Sequence, residues 1–342
     1  MADLASQYQF FNTLQALTRE GFVTSNVIDT VFKDQKFFQW LRQKDKVVED
    51  RGGTALVWPL NVGRSPNTQA FWGVAPLNTF SMNTNIIRAA LNWKAYADAL
   101  VMATTDLALN NGSAEAVANI VDVQMGVVKS SLTEKLGTDV LTNTQAANPL
   151  EFNGLAEAVD NGTVATTYAG VSRTTYPLNW ESTVNYAVPS TASLLNTIHS
   201  LDIQASIAGE RPDSYFATPN LFATSVEGLF SIDRYMQPEM ARTAGGYDFI
   251  FNGKPLYIDQ YLPTGVAVPT GVTPPAGTDA GGYFYGLNSS YLKLVVHPDF
   301  NFAVDEWQQA QGNASYFARM YFFGNLVCLK PSANFVAWVQ GG

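Results

Sequence analysis

The feature that most constrains the fold is a run without proline over residues 114–136. Its apolar residues recur at the three- and four-residue spacing of an amphipathic helix: Val117, Ile120, Val121, Val128, Leu132 and Leu136. Ser113 precedes the run and Gly137 follows it, and these residue types commonly start and stop helices. About 23 residues rising 1.5 Å each predict a helix of roughly 35 Å. Because this is long for a soluble domain, we expect the helix to be a backbone on which other elements are arranged.

A long hairpin is predicted ahead of this helix, over residues 53–93. Alternate residues of its first strand share one face: Leu56, Trp58, Leu60 and Val62. Pro59 cannot donate a hydrogen bond to a neighbouring strand, which indicates an edge strand. Turn-forming residues fill 63–78 and a second extended stretch covers 79–93, so each arm would reach on the order of 40 Å. Isolated two-stranded hairpins are marginal in water, so this one must lie against something, and nothing nearby requires that partner to be its own chain.

The first 45 residues have helical spacing with aromatic stripes, as in Leu4, Tyr8, Phe11 and Leu14. Two interpretations stay open for this stretch. It could form ordinary amphipathic helices packed on the chain's own core, or an arm that packs on neighbouring subunits.

Beyond the long helix, short strands alternate with turns. A helix is predicted over residues 193–208. Asn252-Gly253 between two apolar stretches predicts a hairpin over residues 249–258. Residues 263–282 are rich in proline and glycine without any period, which predicts an exposed loop. The remainder of the chain is strand-rich.

The composition is poor in charge. Charged residues make up 14% of the chain, against roughly 25% in a typical globular protein. The 20 Lys+Arg and 29 Asp+Glu give a net charge of −9, which argues against a protein that grips nucleic-acid phosphates. Hydrophobic residues reach 46%, which excludes intrinsic disorder and permits a sizeable core. The scarcity of charge indicates that much of the surface is covered by something other than water.

Targeting and redox features are sparse. No apolar run reaches the roughly 18 residues of a membrane span. The first twenty residues lack the pattern of a secretory signal. Cys328 is the single cysteine, so no intrachain disulfide can form. We therefore expect a chain that folds in a cytoplasm and has no contact with a membrane.

Few residues are candidates for chemistry. His199 and His297 lack a second ligand at metal spacing, and Cys328 lies in an apolar strand where a buried small hydrophobe is expected. No phosphate-binding loop, dinucleotide fingerprint, nucleophile elbow or zinc-protease motif is present. Asp305 and Glu306 could serve a glycosidase, which needs two carboxylates facing each other across a cleft. The sequence predicts no catalytic, cofactor-binding or metal-binding residue, and no cofactor.

Short motifs follow one another in a distinctive order around the long helix. They are GTALVWPL at 53–60, NGLA at 153–156, GVSRT at 170–174, Trp180, PDSYFAT at 212–218, NGKPL at 252–256 and GNLVCLKP at 324–331. In this order and spacing the chain resembles the major capsid proteins of tailed bacteriophages, which have the Hong Kong 97-type fold. The resemblance covers essentially the whole length.

The resemblance implies an α+β fold with an N-arm, an extended hairpin loop, a long spine helix, a peripheral domain and an axial domain. The parts would be the N-arm at 1–48, the extended loop at 49–95, the peripheral domain at 96–185 with its spine helix at 114–136, the axial domain at 186–290, and the C-terminal strands of the peripheral domain at 291–342. Some family members join a loop lysine to an asparagine. No lysine lies between Lys46 and Lys94, so no such link is expected at the loop tip. A built-in scaffolding domain is not expected either, since no long charged helical segment follows Met1.

The function implied is that of a major capsid protein, a structural and non-enzymatic protein. It would self-assemble as pentamers and hexamers into the icosahedral shell around the double-stranded DNA of a tailed phage, with weak non-specific contact to that DNA. Further partners would be a separate scaffolding protein, a portal and, as an optional third, a decoration protein. The location would be the virion, after assembly in the bacterial host cytoplasm. Candidate inter-subunit contacts are Trp58, Leu60, Phe71 and Trp72.

Two alternatives stay open. An encapsulin-like compartment would have the same fold with another cargo. A β-rich carbohydrate-binding protein or glycosidase is suggested by the seven Trp and fifteen Tyr. A stable monomer in solution would favour the second alternative, and megadalton particles would favour a shell.

Overall fold

The computed structural model describes residues 35–65, 67, 68, 70, 82, 85–105, 114–188, 194–206, 210–223, 249–266, 281–309 and 314–339. Its helices are α1 (Lys36–Gln43), α2 (Ala114–Thr142), α3 (Leu155–Ala158), α4 (Pro177–Trp180) and α5 (Leu194–Ala205), with a 3₁₀ turn at Pro331–Ala333. Its strands are β1 (Val47–Glu49), β2 (Ala55–Asn61), β3 (Ile86–Asn92), β4 (Lys94–Ala103), β5 (Thr167–Tyr168), β6 (Val171–Ser172), β7 (Thr183–Val188), β8 (Ser214–Ala217), β9 (Phe249–Phe251), β10 (Lys254–Ile258), β11 (Thr264–Val266), β12 (Gly281–Leu287), β13 (Leu292–Val304), β14 (Gln308–Gln309), β15 (Ser315–Cys328) and β16 (Phe335–Val339). Most of the predicted N-arm, residues 1–34, lies outside the described residues. Among those that are described, no helix is both long enough and apolar enough to cross a membrane.

The chain divides into two compact units. The first contains Ala95–Leu136 and His297–Phe323. The second contains the described residues of Asp34–Lys94, Gly137–Val296 and Gly324–Gly342. Helix α2 and strands β13 and β15 run from one unit into the other. The architecture is therefore mixed α+β.

The first unit combines a sheet with most of α2. Strands β4, β13 and β14 all pair with β15. Side chains of β4 alternate strictly, with Leu100 and Met102 buried and the residues between them exposed or half-buried. Leu132 and Leu136 of the predicted helical stripe are buried, as expected for a core-facing surface. Burial on one sheet face and one helix face gives this unit its core.

Aromatic side chains lie on β13 and β15 of the same unit. The rings of Phe300 and Phe323 stack with centroids 4.4 Å apart, and both are half-buried. Phe302 has a positive φ of 55°, rare for a bulky residue. Its ring contacts Phe322 at 5.3 Å, and the Nζ of Lys129 lies 5.8 Å from its centroid. The left-handed backbone at Phe302 breaks the strand alternation and lets this ring pack toward α2.

The core of the second unit is a seven-stranded sheet among the described residues. Its order is β7–β16–β12–β8–β10–β9, and β11 also pairs with β12. Leu194, Ile198 and Leu201 of α5 are buried in one cluster with Tyr215 of β8 and Phe335 of β16. This confirms the helix predicted over residues 193–208.

Helix α1 and strand β1 also belong to the second unit. Phe37, Trp40 and Leu41 are almost completely buried. The indole Nε1 of Trp40 donates to Ser214 Oγ at 2.8 Å, and its ring contacts Phe216 edge-on. Strand β1 runs parallel to the first part of β13. Helix α1 therefore packs on the core of its own chain, and β1 is held there by pairing with β13 while its side chains stay exposed.

Helix α2 does not end at Gly137, so that part of the sequence prediction is wrong. The helix is 29 residues long and ends at Thr142. A Cβ at position 137 would overlap the side-chain amide of Gln35. The glycine is therefore explained by a close approach from a distant part of the chain, and not by a helix stop.

Two predictions about turns have different outcomes. The hairpin at Asn252-Gly253 is confirmed, and both residues have the positive φ that a two-residue hairpin turn requires. The exposed loop predicted over residues 263–282 is wrong at both ends, because β11 pairs there with the start of β12. Residues 267–280 lie outside the described residues.

Candidate assembly surface: the β2–β3 ribbon and its polar anchor

Strands β2 and β3 form a two-stranded antiparallel sheet, called the ribbon below. It runs from Ala55 opposite Asn92 to Asn61 opposite Ile86. Seven residues a strand correspond to about 23 Å of extended chain. The alternation predicted for its first strand is confirmed, since Leu56 is buried and Trp58 half-buried whereas their neighbours Val57 and Pro59 are exposed.

Hydrogen-bond alternation assigns the two edges of the ribbon. The Val62 N–H donates to Asn85 O at 2.9 Å, so every second pair from there is hydrogen-bonded. Pro59 and Arg88 form one of the intervening pairs, which are not hydrogen-bonded to each other. In such a pair the backbone N–H and C=O groups point away from the partner strand. The missing N–H of Pro59 therefore costs no bond within the ribbon. The edge strand predicted from Pro59 is confirmed, since β3 is its single neighbour in this two-stranded sheet.

The backbone of the ribbon is tethered to the rest of the second unit. The tethers are Ala90 N–H to Ala169 O at 2.9 Å, Asn325 Nδ2–H to Asn92 O at 2.8 Å and Asn179 Nδ2–H to Val62 O at 3.2 Å. Leu56, Ala89 and Leu91 on the inner face are buried. The described strands of the ribbon are therefore held on their own chain at both ends, near Asn92 and at Val62.

The structure describes two of the four predicted contact residues. Trp58 and Leu60 lie on the inner face and are half-buried. The indole nitrogen of Trp58 is buried and has no hydrogen-bond partner among the described residues. Phe71 and Trp72 lie outside those residues. The structure thus brings two of the four to one face of the ribbon.

Several exposed apolar side chains near the ribbon were not singled out from the sequence. Ile86 is 69% exposed on the outer face, and Val57 is 48% exposed. Leu178 of α4 is 86% exposed, next to the residue whose side chain bonds Val62 O. Strand alternation could have identified Val57 and Ile86, whereas Leu178 lies beside the ribbon only through a long-range contact.

A buried arginine follows closely after Ala169, whose carbonyl tethers the ribbon. The Arg173 side chain is completely buried, with Nη1 3.7 Å from the Oδ2 of an equally buried Asp160. Its guanidinium donates to the carbonyls of Ala165 at 2.5 Å, Glu157 at 2.6 Å, Ala158 at 3.2 Å and Trp180 at 3.3 Å. Burial lowers the pKa of Arg173, and the negative charge of Asp160 acts in the opposite direction. The four carbonyl acceptors compensate the guanidinium for its loss of water, as a buried charge requires.

The Asp160 carboxylate organises the chain that follows it. Its Oδ2 accepts the N–H groups of Gly162, Val164 and Ala165 at 2.9–3.0 Å. Its Oδ1 accepts the hydroxyl of Tyr186 at 3.1 Å. Burial, followed by the Asp160 charge, raises the pKa of Tyr186 well above its ordinary value. With Arg173, Glu157, Asn153 and Asn325, Asp160 forms a buried cluster called the polar anchor below.

The Glu157 carboxyl of the anchor has a raised pKa. Burial is the main cause, opposed by hydrogen bonds from the Gln145 N–H and Asn153 Nδ2 and by the charges of Arg173 and Lys94. Burial also lowers the pKa of Lys94, whose Nζ donates to Gln145 Oε1 at 2.7 Å and to Pro149 O at 2.5 Å. These groups hold the segment after α2 against the base of the ribbon.

We expect Glu157→Gln to remove a pH-dependent part of the stability. The folded state holds this proton more tightly than the unfolded chain. The stability that Glu157 contributes is therefore complete below about pH 4.5, its unfolded pKa, and is lost as pH rises through the folded pKa. The free energy of unfolding of the variant should therefore rise relative to wild type as pH increases. Urea unfolding at a series of pH values measures this difference.

Glu210 provides a control of opposite sign. Hydrogen bonds from Lys330 and Tyr291 lower the pKa of Glu210. Its contribution is complete above its unfolded pKa and is lost as pH falls through the folded one. Glu210→Gln should therefore differ most from wild type at neutral pH. If the difference in free energy of unfolding from wild type changed with pH in the same direction for both variants, the opposite pKa shifts assigned to Glu157 and Glu210 would be contradicted.

The residues considered for chemistry are dispersed. His199 is exposed on α5, and His297 lies in β13, where its Nδ1 accepts the Asp299 N–H at 3.3 Å. Cys328 is buried, and burial raises the pKa of its thiol to about 12, which agrees with the expected small hydrophobe. Asp305 and Glu306 are exposed and lack the enclosed setting of a glycosidase pair. Across the described part of the chain, no group of three or more His, Cys, Asp or Glu could hold a metal ion.

No protein-family model matches this sequence, and no curated protein matches it. Solved structures do match over nearly the full length. The capsid asymmetric unit of cyanophage A-1(L) is 12% identical, with 96% of this chain and 98% of that chain covered and a TM-score of 0.63. The SrpI encapsulin complex of Synechococcus elongatus PCC 7942 is 12% identical, with coverage of 96% and 95% and a TM-score of 0.56. The capsid of Myoviridae phage XM1 is 10% identical, with coverage of 94% and 97% and a TM-score of 0.55.

The fold is therefore the mixed α+β fold of phage capsid proteins, which the encapsulin also shares. The similar structures are mainly phage capsid proteins. This confirms, at the level of the fold, the resemblance found in the order of the sequence motifs. Three of those motifs supply three of the five residues of the polar anchor: NGLA provides Asn153, GVSRT provides Arg173 and GNLVCLKP provides Asn325.

Proposed function

We propose that this chain is the major capsid protein of a tailed phage, a structural protein without catalytic activity. The observation that carries the proposal is the match to the cyanophage capsid over 96% of this chain and 98% of that one. Copies would assemble as pentamers and hexamers into an icosahedral shell around double-stranded DNA. A separate scaffolding protein, a portal and an optional decoration protein would complete the virion, assembled in the host cytoplasm.

The proposed parts follow the Hong Kong 97-type arrangement. Residues 1–48 are the N-arm, 49–95 the extended loop that contains the ribbon, 96–185 and 291–342 the peripheral domain, and 186–290 the axial domain. The length of α2 supports a spine helix, extended here to Thr142. The tethers of the ribbon support a loop whose described strands are held on their own subunit and whose outer face reaches a neighbour.

Contacts between subunits would use the outer face of the ribbon and the accessible part of the half-buried Trp58 and Leu60 on its inner face. Val57, Ile86 and Leu178 expose apolar surface that a neighbour would cover, and burying each such side chain fully is worth about 1.5–3 kcal/mol. Trp58, Leu60, Phe71 and Trp72 remain proposed contacts. The low charge of the chain supports an extensive apolar interface of this kind.

Trp58→Ala should give a folded subunit that assembles poorly. The ring is half-buried and its indole nitrogen has no bond to lose among the described residues, so we expect a smaller loss of stability than the 3–5 kcal/mol typical of a core tryptophan. Far-UV circular dichroism melts and sedimentation of the same sample measure the two effects. A variant that assembles normally but melts far earlier would contradict the contact role.

Electron microscopy of the purified protein, alone and with a scaffolding partner, tests the proposal. We expect closed shells with five- and six-fold clusters. Stable monomers under all conditions of pH and salt would overturn it.

An encapsulin-like compartment is the second candidate, supported by the TM-score of 0.56 to the SrpI encapsulin. Shells isolated from cells with nuclease-protected DNA favour the capsid, and shells filled with protein cargo favour the compartment.

A further inference from the structure

The side chain of Asn325 in β15 is completely buried, and its hydrogen-bonding groups are used in full. Nδ2 donates to Asn92 O and to Asn153 Oδ1, both at 2.8 Å. Oδ1 accepts the Asn153 N–H at 3.0 Å and the Leu326 N–H at 2.9 Å. One amide therefore joins the end of the ribbon, the segment after α2 and strand β15.

The segment after α2 that contains Asn153 is itself held on the end of that helix. A Cβ on Gly154 would overlap the backbone carbonyls of Asp139 and Asn143. Asn143 Nδ2 donates to Phe152 O at 2.8 Å. Asn325 thus ties the ribbon to a segment that packs directly on the helix end.

The ribbon leaves and rejoins its unit at a short neck. Gly53 has a φ of 82°, a conformation open to glycine and strained for most other residues, and its carbonyl accepts the Trp93 indole N–H at 3.1 Å. A change of angle at the neck would move the whole ribbon, and the three tethers oppose it, with the bond from Asn179 to Val62 O at the far end. The bond from Asn325 to Asn92 O is the tether at the base, one residue from Trp93.

We propose that Asn325 is a positioning residue that sets the angle of the ribbon, and through it the size of the assembled shell. The second half of this statement rests on the proposed function. The angle between neighbouring subunits determines how many subunits close a shell. If neighbouring subunits contact each other through the ribbon, a ribbon that can rotate at its base lets the angle between those subunits vary.

The first test measures hydrogen–deuterium exchange in the full-length chain below its assembly concentration. Asn325→Ala should speed exchange over residues 86–92 by about tenfold, with no comparable change in β8 or β12. Asn334→Ala is the matched control. Asn334 is also completely buried, accepts the Asn288 N–H at 2.8 Å and donates to Lys330 O at 3.2 Å, and it has no bond to the ribbon. It should lower overall stability without selective exchange in the ribbon.

A second variant covers the case in which Asn325→Ala fails to fold. The Ala90 N–H points away from β2 and bonds Ala169 O, so Ala90→Pro removes a tether and no bond within the ribbon. It should speed exchange over residues 86–92 in the same way. Unchanged exchange in the ribbon of either folded variant would overturn the proposed role of the base bonds.

The final readout is the diameter of the particles. Wild-type protein should give one size, Asn325→Ala or Ala90→Pro a broad range of sizes, and Asn334→Ala the wild-type size. A single wild-type diameter for the tether variants, despite faster exchange, would overturn the link to shell size. If the wild type forms no shell at all, the proposed function and the link to shell size both fail, and the exchange data still decide whether Asn325 holds the ribbon.

Discussion

Replacing Arg173 with methionine is expected to destabilise the folded chain by about 3–5 kcal/mol, the usual cost of removing one partner of a buried ion pair. The substitution leaves the Asp160 carboxylate buried without its counter-charge and deprives four carbonyl groups of a donor. Equilibrium unfolding in urea measures the loss.

Arg88→Met serves as the control for the arginine substitution. Arg88 lies on the exposed face of the ribbon, opposite Pro59. Its replacement should change the free energy of unfolding by no more than about 0.5 kcal/mol. Equal effects at the two positions would show that the polar anchor contributes nothing particular to stability.

The double variant Ile86→Ser, Leu178→Ser should abolish or strongly weaken assembly while the subunit stays folded. Both side chains are more than two-thirds exposed in the isolated chain, so their loss should change the free energy of unfolding by about 0.5 kcal/mol or less. If a neighbour buries them, the concentration needed for assembly should rise at least about tenfold for each residue, since 1.4 kcal/mol corresponds to a factor of ten. Light scattering against protein concentration measures this threshold.

A matched pair of exposed isoleucines in the same unit gives the control for assembly. Ile203 on α5 and Ile250 on β9 are 53% and 60% exposed and lie away from the ribbon in sequence. The double variant Ile203→Ser, Ile250→Ser should shift the threshold less. If both double variants shift it equally, the ribbon side has no special part in the contact.

Local patterns predicted the elements whose causes are local. The Asn252-Gly253 turn, the helix of residues 194–205 and the alternation around Trp58 depend on residues a few positions apart, and each was predicted. The prediction that Gly137 ends the helix is wrong because a glycine is needed there for another purpose. Its missing Cβ leaves space for the side chain of Gln35, about a hundred positions away. The sequence around a glycine does not show whether it ends a helix or makes room for a side chain from a distant part of the chain.

The polar anchor shows the same limit at the candidate site. The motifs around Asn153, Arg173 and Asn325 were recognised as parts of a resemblance, with no physical role attached. Their role follows from bonds across 172 positions in sequence, as between Asn153 and Asn325. Likewise, Leu178 is expected to matter because α4 lies beside the ribbon, which sequence spacing does not reveal.

Pro59 also bears on how such a chain avoids forming fibres. An exposed strand edge is a template on which further strands can pair, and crowding many ribbons together raises that risk. The outward-facing groups of β2 include position 59, where proline offers no donor to an incoming strand. Sheet growth from this edge is therefore interrupted at its middle. A Pro59→Val variant should keep the ribbon intact yet convert part of the protein into thioflavin-binding aggregates, at concentrations where the wild type stays clear.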